Sequence, residues 1–206
     1  MAERMIYLVR HGATEWAKNG KHTGRSDIPL TEEGREQAKQ FIPVFQEVDF
    51  EQVWTSPLQR AMNTAELAGM GDRAQIDNDL HEWDYGDYEG ITTPEIQKTV
   101  PDWNVFTHGC PNGEQARDVA GRANRVLKRC REVEGNSVLF SHGHFLRVLA
   151  CCWIDLEPVN GRHLLLGTST LSILSWDRGT PVLRTWNGPL LTAACAYPWR
   201  HPHTDR

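Results

Sequence analysis

Ile6-Tyr7-Leu8-Val9-Arg10-His11-Gly12-Ala13-Thr14-Glu15-Trp16 joins a short apolar run directly to Arg-His-Gly, with no turn or cap between them. A run of this length reads as a buried strand. A strand that only builds core would not end by planting a cation and a titratable ring where it leaves the sheet. In open α/β sheets the C-terminal strand ends form the ligand crevice. Arg10 and His11 are therefore expected beside a bound ligand, with Gly12 letting the backbone approach it.

The same pattern recurs along the chain. Ser137-Val138-Leu139-Phe140 is a second buried-type strand, and it ends in Ser141-His142-Gly143-His144 before an apolar helix over 145–153. Gln52-Val53-Trp54-Thr55 is a third, followed by Ser56-Pro57-Leu58-Gln59-Arg60-Ala61. There Ser56 is expected to cap a helix and Pro57 to open it, which places Arg60 in the first turn, facing an anion together with the helix N-terminus. Two histidines and two arginines thus leave the sheet at equivalent points.

The remaining elements follow from local signals. Thr31 caps a helix begun by Glu32 and Glu33, with Ala38, Phe41, Ile42 and Phe45 as its apolar stripe and Pro43 as a kink or early stop. A short strand is expected over 74–76, and Thr92 or Thr93 caps a short helix reaching Lys98. A longer helix follows residue 114, with Val119, Ala123, Val126, Leu127 and Cys130 on one face. The runs 170–176 and 182–186, separated by Asp177-Arg178-Gly179-Thr180-Pro181, predict an antiparallel hairpin. Together these predict a single α/β domain over 1–198, a three-layer α/β/α arrangement around a mostly parallel sheet with an antiparallel edge. Residues 199–206, with His201 and His203, read as a flexible tail.

Composition narrows the partners. The chain has 206 residues, 22 Lys and Arg against 27 Asp and Glu, and a net charge of -5. That balance gives no general attraction to nucleic acid or to an anionic membrane, so an anion site must be local. No apolar run approaches a membrane span, and the opening Met1-Ala2-Glu3-Arg4 lacks a signal-peptide core, so a cytoplasmic protein is expected. Cys110, Cys130, Cys151, Cys152 and Cys195 are an odd number without a CxxC pair. They are expected to be reduced, mostly buried thiols, not a disulfide framework or a zinc site.

Two candidate loops supply further groups. Residues 17–27 hold Lys18, Asn19, Lys21, His22 and Arg25, with Thr23 and Gly24 offering a hydroxyl and an unobstructed backbone N–H to an anion. The stretch from Leu80 to Gly90 is dense in carboxylates and aromatics. An acid beside Trp83 suits a proton donor through partial desolvation. Two arginines, two histidines and a basic loop make a pocket suited to phosphate. The chain has no GxGxxG turn or P-loop, no cysteine ahead of an arginine anion loop, and no paired carboxylates beside the histidines for a metal. The remaining chemistry is a histidine nucleophile, arginines on the phosphoryl oxygens, and a carboxylic acid for the leaving group.

Leu8-Val9-Arg10-His11-Gly12, Thr23-Gly24, Pro29-Leu30-Thr31, Ser56-Pro57-Leu58-Gln59-Arg60-Ala61 and Ser141-His142-Gly143, in this order, resemble the histidine phosphatase superfamily, which includes phosphoglycerate mutases. The resemblance implies the phosphoglycerate mutase-like fold and a phosphorylated His11. It also implies Arg10, Arg60 and His142 around the transferring group, with Thr23, Gly24, Ser141 and Gly143 near the phosphate. The acid/base glutamate of the family maps onto Glu82, with Asp84 and Glu89 as the other candidates. Many members carry Asn where this chain has Ala17, a contact that Asn19 could replace.

The segment between Glu82 and Ser141 is short for a metabolic mutase, which points to hydrolysis. The motifs at 85–90 and 109–114 look like the branch of sedoheptulose-bisphosphatase-type sugar phosphatases. There Lys18, Lys21 and Arg25 would meet a second phosphate. The expected activity is a phosphatase for small phosphate esters that uses no cofactor or metal. A phosphoglycerate mutase and a phosphoprotein or phosphohistidine phosphatase are the alternatives. Oligomeric state is left open.

Overall fold

The computed structural model describes residues 4–188. Cys195, His201, His203, the tail expected over 199–206 and the domain boundary at 198 lie outside the described residues.

Strands β1 (Ile6–Arg10), β2 (Phe50–Thr55), β3 (Gln75–Ile76), β4 (Asn136–Ser141), β5 (Leu171–Asp177) and β6 (Thr180–Gly188) form one sheet in the order β3-β2-β4-β1-β5-β6. Pairings among β1 to β4 are parallel, and β5 runs antiparallel to both β1 and β6. The mostly parallel sheet with an antiparallel edge hairpin is as expected.

The layers follow from strand alternation. Successive side chains of β1 point to opposite faces, and both faces are covered. Ile6 and Leu8 join one core with Val126, Leu127, Leu146 and Leu149, from helices α7 (Ala116–Glu132) and α8 (Gly143–Trp153). Tyr7 and Val9 join a second core with Phe41, Phe45 and Ala65. These come from the segment holding helices α2 (Glu32–Lys39) and α3 (Ile42–Gln46), and from α4 (Gln59–Leu67). A strand sandwiched in this way needs an unbroken apolar run, which is what its sequence has. Three one-turn helices complete the set: α1 (Glu15–Lys18), α5 (Thr93–Ile96) and α6 (Val105–His108).

Caps explain several boundaries. The Thr31 side chain accepts from Gly34 N at 3.1 Å and starts α2. Thr92 caps α5 in a capping box with Glu95, and the helix ends at Ile96, short of Lys98. Of the kink or early stop expected at Pro43, the structure has the stop: α2 ends at Lys39 and a separate α3 begins at Ile42. In a continuous helix Pro43 would clash with the carbonyl of residue 39, so the chain restarts with the proline in the first turn of α3. Ser56 does not cap α4, and Pro57 lies outside it. The helix begins at Gln59, whose N–H is taken by Asp27 Oδ1 at 2.8 Å.

Gly12 also has a role other than the one expected. A Cβ there would sit 2.4 Å from the Gly34 carbonyl oxygen, and one on Gly34 would sit 2.2 Å from the Ala13 oxygen. The two glycines let α2 press onto the exit of β1, so the close approach is to the protein's own backbone.

Candidate active site

Parallel pairing puts the exits of β1, β4 and β2 side by side. Arg10 is level with Ser141, His11 N–H bonds the Ser141 carbonyl at 3.0 Å, and Ser56 N–H bonds the Phe140 carbonyl at 2.9 Å. Against these exits opens a cleft of about 160 Å³, lined among others by Arg10, His11, Lys21, Glu82, Tyr85 and Arg147. One water needs roughly 10–15 Å³ on this measure, so a phosphoryl group and a small organic remainder fit together. Arg10, Lys21 and Arg147 outnumber Glu82 at the wall, giving a local positive site in an acidic chain.

His11 is 5% exposed. Its Nδ1 lies 2.7 Å from the Gly12 carbonyl oxygen, which can only accept, so Nδ1 carries the proton and Nε2 keeps its lone pair. Burial, then the guanidinium groups of Arg60 and Arg10, hold the ring well below the usual histidine range. The ring is therefore held neutral, and among the described residues its Nε2 has no hydrogen-bond partner.

Arg10 donates to the Leu166 carbonyl, while its buried Nε has no partner among the described residues. Gly143 makes room for it, since a Cβ there would lie 3.2 Å from the guanidinium carbon. Arg60 is fully buried, and four of its five N–H groups are engaged. Nε donates to His142 Nδ1 (3.1 Å), Nη1 to the Ser26 carbonyl (2.8 Å), and Nη2 to the carbonyls of Thr23 and Gly24 (3.0 Å each). Because Arg60 Nε can only donate, His142 Nδ1 must accept, which leaves the His142 proton on Nε2, 2.7 Å from Ser56 Oγ. Burial, then Arg60 and His11, push His142 well below the usual range. The two histidine rings lie 5.2 Å apart, centroid to centroid.

Glu82 is 5% exposed and accepts three backbone N–H bonds: Trp83 and Phe145 on Oε1 (2.8 Å each) and His144 on Oε2 (3.0 Å). Helix α8 has no side-chain cap of its own, so Glu82 caps it from another segment. Its contact with Trp83 is through the backbone. The indole N–H goes to the Glu114 carbonyl, so the expected partnership of an acid with an apolar ring is replaced by one with a helix N-terminus. The other two candidate acids are occupied elsewhere. Asp84 pairs with Arg25 and accepts from Gly86 N, and Glu89 accepts from Gly24 N and Ser26 N.

The structure redistributes the expected substrate loop. Thr23 and Lys21 line the cleft, and Gly20 and Ala17 take places where Asn19 was expected. Asn19 is exposed at the end of α1. Lys18 pairs with Glu33 at 2.6 Å and Arg25 with Asp84 at 3.3 Å, both at the surface. The Gly24 N–H is spent on Glu89. Ser141 gives its hydroxyl to the Leu80 carbonyl at 2.8 Å, tying β4 to the approach to Glu82.

Four lining residues with polar side chains, His22, Tyr85, His144 and Arg147, carried no site role from sequence. His22, buried, is pushed down to about 4 by burial and packs against Tyr85. The Tyr85 hydroxyl bonds His144 Nδ1 at 2.5 Å. Burial and the neighbouring Glu82 hold Tyr85 well above its usual range, and burial and Arg147 hold His144 well below. Arg147 stacks over Phe106 at 4.5 Å and donates Nε to the Gly161 carbonyl, with no carboxylate paired to it among the described residues. Helical periodicity was the available signal: once α8 starts at Gly143, residues 143, 144 and 147 share a face.

Among the described residues no helix is long and apolar enough to cross a membrane. Cys110, Cys130 and Cys151 are buried free thiols, and Cys152 is half-buried.

Comparison with known proteins agrees with this fold. The family model described as histidine phosphatase superfamily, branch 1, matches residues 6–189. An acid phosphatase of Mycobacterium tuberculosis is 39% identical over 178 residues, covering 84% of this chain and 87% of the relative. The sedoheptulose 1,7-bisphosphatase of Saccharomyces cerevisiae is 36% identical over 182 residues, covering 72% of this chain and 67% of the relative. The solved structure of the open reading frame Rv3214 from Mycobacterium tuberculosis superposes with a TM-score of 0.87 at 35% identity, covering 91% of this chain and 99% of the other.

Proposed function

Since the chain belongs to the histidine phosphatase superfamily, branch 1, we propose that it hydrolyses phosphomonoesters of small metabolites through a phosphohistidine on His11, with a second anionic group on the substrate held by Arg147 and Lys21. One observation carries the phosphohistidine reading. The bond from Nδ1 to the Gly12 carbonyl leaves the Nε2 lone pair of a neutral, buried imidazole in a cleft that also holds Arg10 and Glu82.

In the first step His11 Nε2 attacks phosphorus in line, the bond to the ester oxygen breaks, and that oxygen takes a proton from Glu82 in its acid form. Arg10 and the remaining N–H of Arg60 balance the charge on the phosphoryl oxygens. In the second step water gives a proton to the Glu82 carboxylate and attacks the phosphohistidine. The N–P bond breaks, and inorganic phosphate and neutral His11 are regenerated. His142 orients Arg60 through Nδ1, and Arg60 in turn fixes the Thr23 to Ser26 loop at the cleft.

The substrate reading rests on which cations remain available. Lys18 and Arg25 are paired with carboxylates, whereas Lys21 and Arg147 stand at the cleft wall without such partners among the described residues. Lys21 lies over the Trp16 ring, and Tyr85, His22 and His144 form an uncharged wall suited to a hydroxylated carbon chain. A sugar bisphosphate meets this layout, as the bisphosphatase relative suggests.

The test is phosphate release in EDTA from sedoheptulose 1,7-bisphosphate, fructose 1,6-bisphosphate, sugar monophosphates and 3-phosphoglycerate. A bisphosphate should be preferred, and Arg147→Ala should raise its KM by about 10- to 100-fold, one lost charged contact being worth about 1.5–3 kcal/mol. It should leave 4-nitrophenyl phosphate nearly unchanged. Equal use of mono- and bisphosphates would remove the second-anion reading. Interconversion of phosphoglycerates without phosphate release would replace hydrolysis by transfer.

A further inference from the structure

Glu82 lies in no helix or strand, yet its carboxylate is held at hydrogen-bond distance from the start of α8. Loop residues keep such placement only with outside support, and here the support converges on one guanidinium. Arg122, on α7, has a side chain 11% exposed. Its Nη1 donates to the carbonyls of Asp79 (2.7 Å) and His81 (2.9 Å), and its Nη2 to that of Glu82 (3.4 Å). Nε and Nη2 also grip both carboxylate oxygens of Glu114 at 2.8 Å.

Glu114 extends the clamp to the other side of the acid. Its Oε2 accepts from Asp84 N, its carbonyl accepts the Trp83 indole N–H, and its own N–H goes to the Asp84 carbonyl. The backbone before and after Glu82 is thus fastened to a single ion pair. The Arg122 guanidinium also lies 5.0 Å from the centre of the Phe145 ring, and Phe145 supplies an N–H to Glu82 Oε1. Arg122 therefore touches both bodies between which Glu82 is suspended.

Stability alone is a poor reason for this arrangement. The pair is half-buried, an ion pair taken out of water often adds little over well-packed apolar residues, and α7 already seats itself through Val119, Ala123, Val126 and Leu127. Direction is what the pair supplies: bidentate geometry fixes a plane as well as a distance. We infer that Arg122 and Glu114 are positioning residues for the acid step, setting the Glu82 carboxylate where the leaving oxygen must be protonated. This rests on Glu82 being the proton donor.

The experiment compares kcat/KM, which reports formation of the phosphoenzyme, for 4-nitrophenyl, phenyl and benzyl phosphate. These substrates are similar in shape but depend increasingly on an acid. Arg122→Lys and Glu114→Gln should each lower kcat/KM for benzyl phosphate by about 30- to 100-fold, the scale of an ångström of misplacement. The loss for 4-nitrophenyl phosphate should stay below about threefold. The ratio between the two substrates does not depend on the fraction of folded enzyme, so lowered stability cannot imitate the result.

Equal losses on all three substrates, or no loss, would overturn the positioning role. Glu82→Gln is measured beside them. If it lacks the leaving-group dependence, the assignment of the acid itself falls. If it has the dependence and the Arg122 and Glu114 variants do not, only the positioning role falls. Adding Arg122→Lys to Glu82→Gln should change the ratio no further.

Discussion

The exits of β1 and β4 carry nearly the same tripeptide, Arg10-His11-Gly12 and Ser141-His142-Gly143, one strand apart in the sheet. Their histidines nevertheless stand in opposite situations. His11 bonds a carbonyl with one nitrogen and keeps the other for the cleft. His142 is fully buried with both nitrogens engaged, Nδ1 by Arg60 and Nε2 by Ser56. Both rings are held neutral by burial and by arginine. Charge state does not separate the proposed nucleophile from the proposed support here; the hydrogen-bond partner of the second nitrogen does. A carbonyl on Nδ1 frees Nε2, whereas a donor on Nδ1 forces the proton onto Nε2 and removes it as a nucleophile.

The largest test of this contrast is the pair of alanine variants. His11→Ala should lose at least about 10⁴-fold in kcat while melting close to the parent, because the ring's hydrogen bond among the described residues is to a carbonyl beside an open cleft. His142→Ala should lose about 10²-fold and also about 2–4 kcal/mol of stability, since Arg60 Nε and Ser56 Oγ both lose partners inside the protein. Steady-state rates and urea melts on both variants check this. A His142→Ala that melts like the parent would mean that the second exit is not a support.

The two exits also show what could be read in advance. That β1, β2 and β4 bring Arg10, His11, Arg60 and His142 together was legible, because strand ends and helix starts are local signals and parallel pairing aligns them. The resemblance assigned His11 as the phosphorylated ring, but the hydrogen bonds that set the four residues apart were not legible, since they run to partners 36 and 86 positions away, such as Gly24 and Ser56. The same reason explains the loop from Lys18 to Arg25. Its positive charge was visible, but Glu33 and Asp84, which draw Lys18 and Arg25 away, come from other segments. Arg147 escaped notice because a lone arginine on a helix usually reads as solvated surface. The break before α3 was half legible: Pro43 announced it, and only the backbone decided between a kink and a restart.

Acid pH probes what both exits share. Burial holds His11, His142 and His144 well below the usual histidine range in the folded protein, and His22 near 4. Unfolding near pH 5 to 6.5 lets each take up a proton, so the unfolded state binds more protons there and stability rises with pH, levelling above about 6.5. Each fully responding histidine contributes up to about 1.4 kcal/mol per pH unit. Urea melts from pH 7.5 to 5 should therefore show falling stability, with a shallower slope for His11→Ala. Turnover per folded molecule should persist over the same range, because His11 stays neutral. A rate that followed a titration near 6.5 in a fully folded protein would contradict the burial of the nucleophile.

Ser56→Ala is the smallest change and the sharpest on the comparison itself. It removes the acceptor of His142 Nε2–H and leaves the Arg60 bond to Nδ1 in place. A support that merely loses one neutral hydrogen bond should cost about 1 kcal/mol of stability and less than about fivefold in kcat/KM. The proton would stay on Nε2, because Arg60 still demands an acceptor at Nδ1. If activity instead fell by about 100-fold or more with stability little changed, the Ser56 to His142 bond would be delivering that Nε2 proton toward the reacting phosphoryl group. The second exit would then be part of the chemistry, and the contrast between the two histidines would be one of role within the reaction, donor against nucleophile.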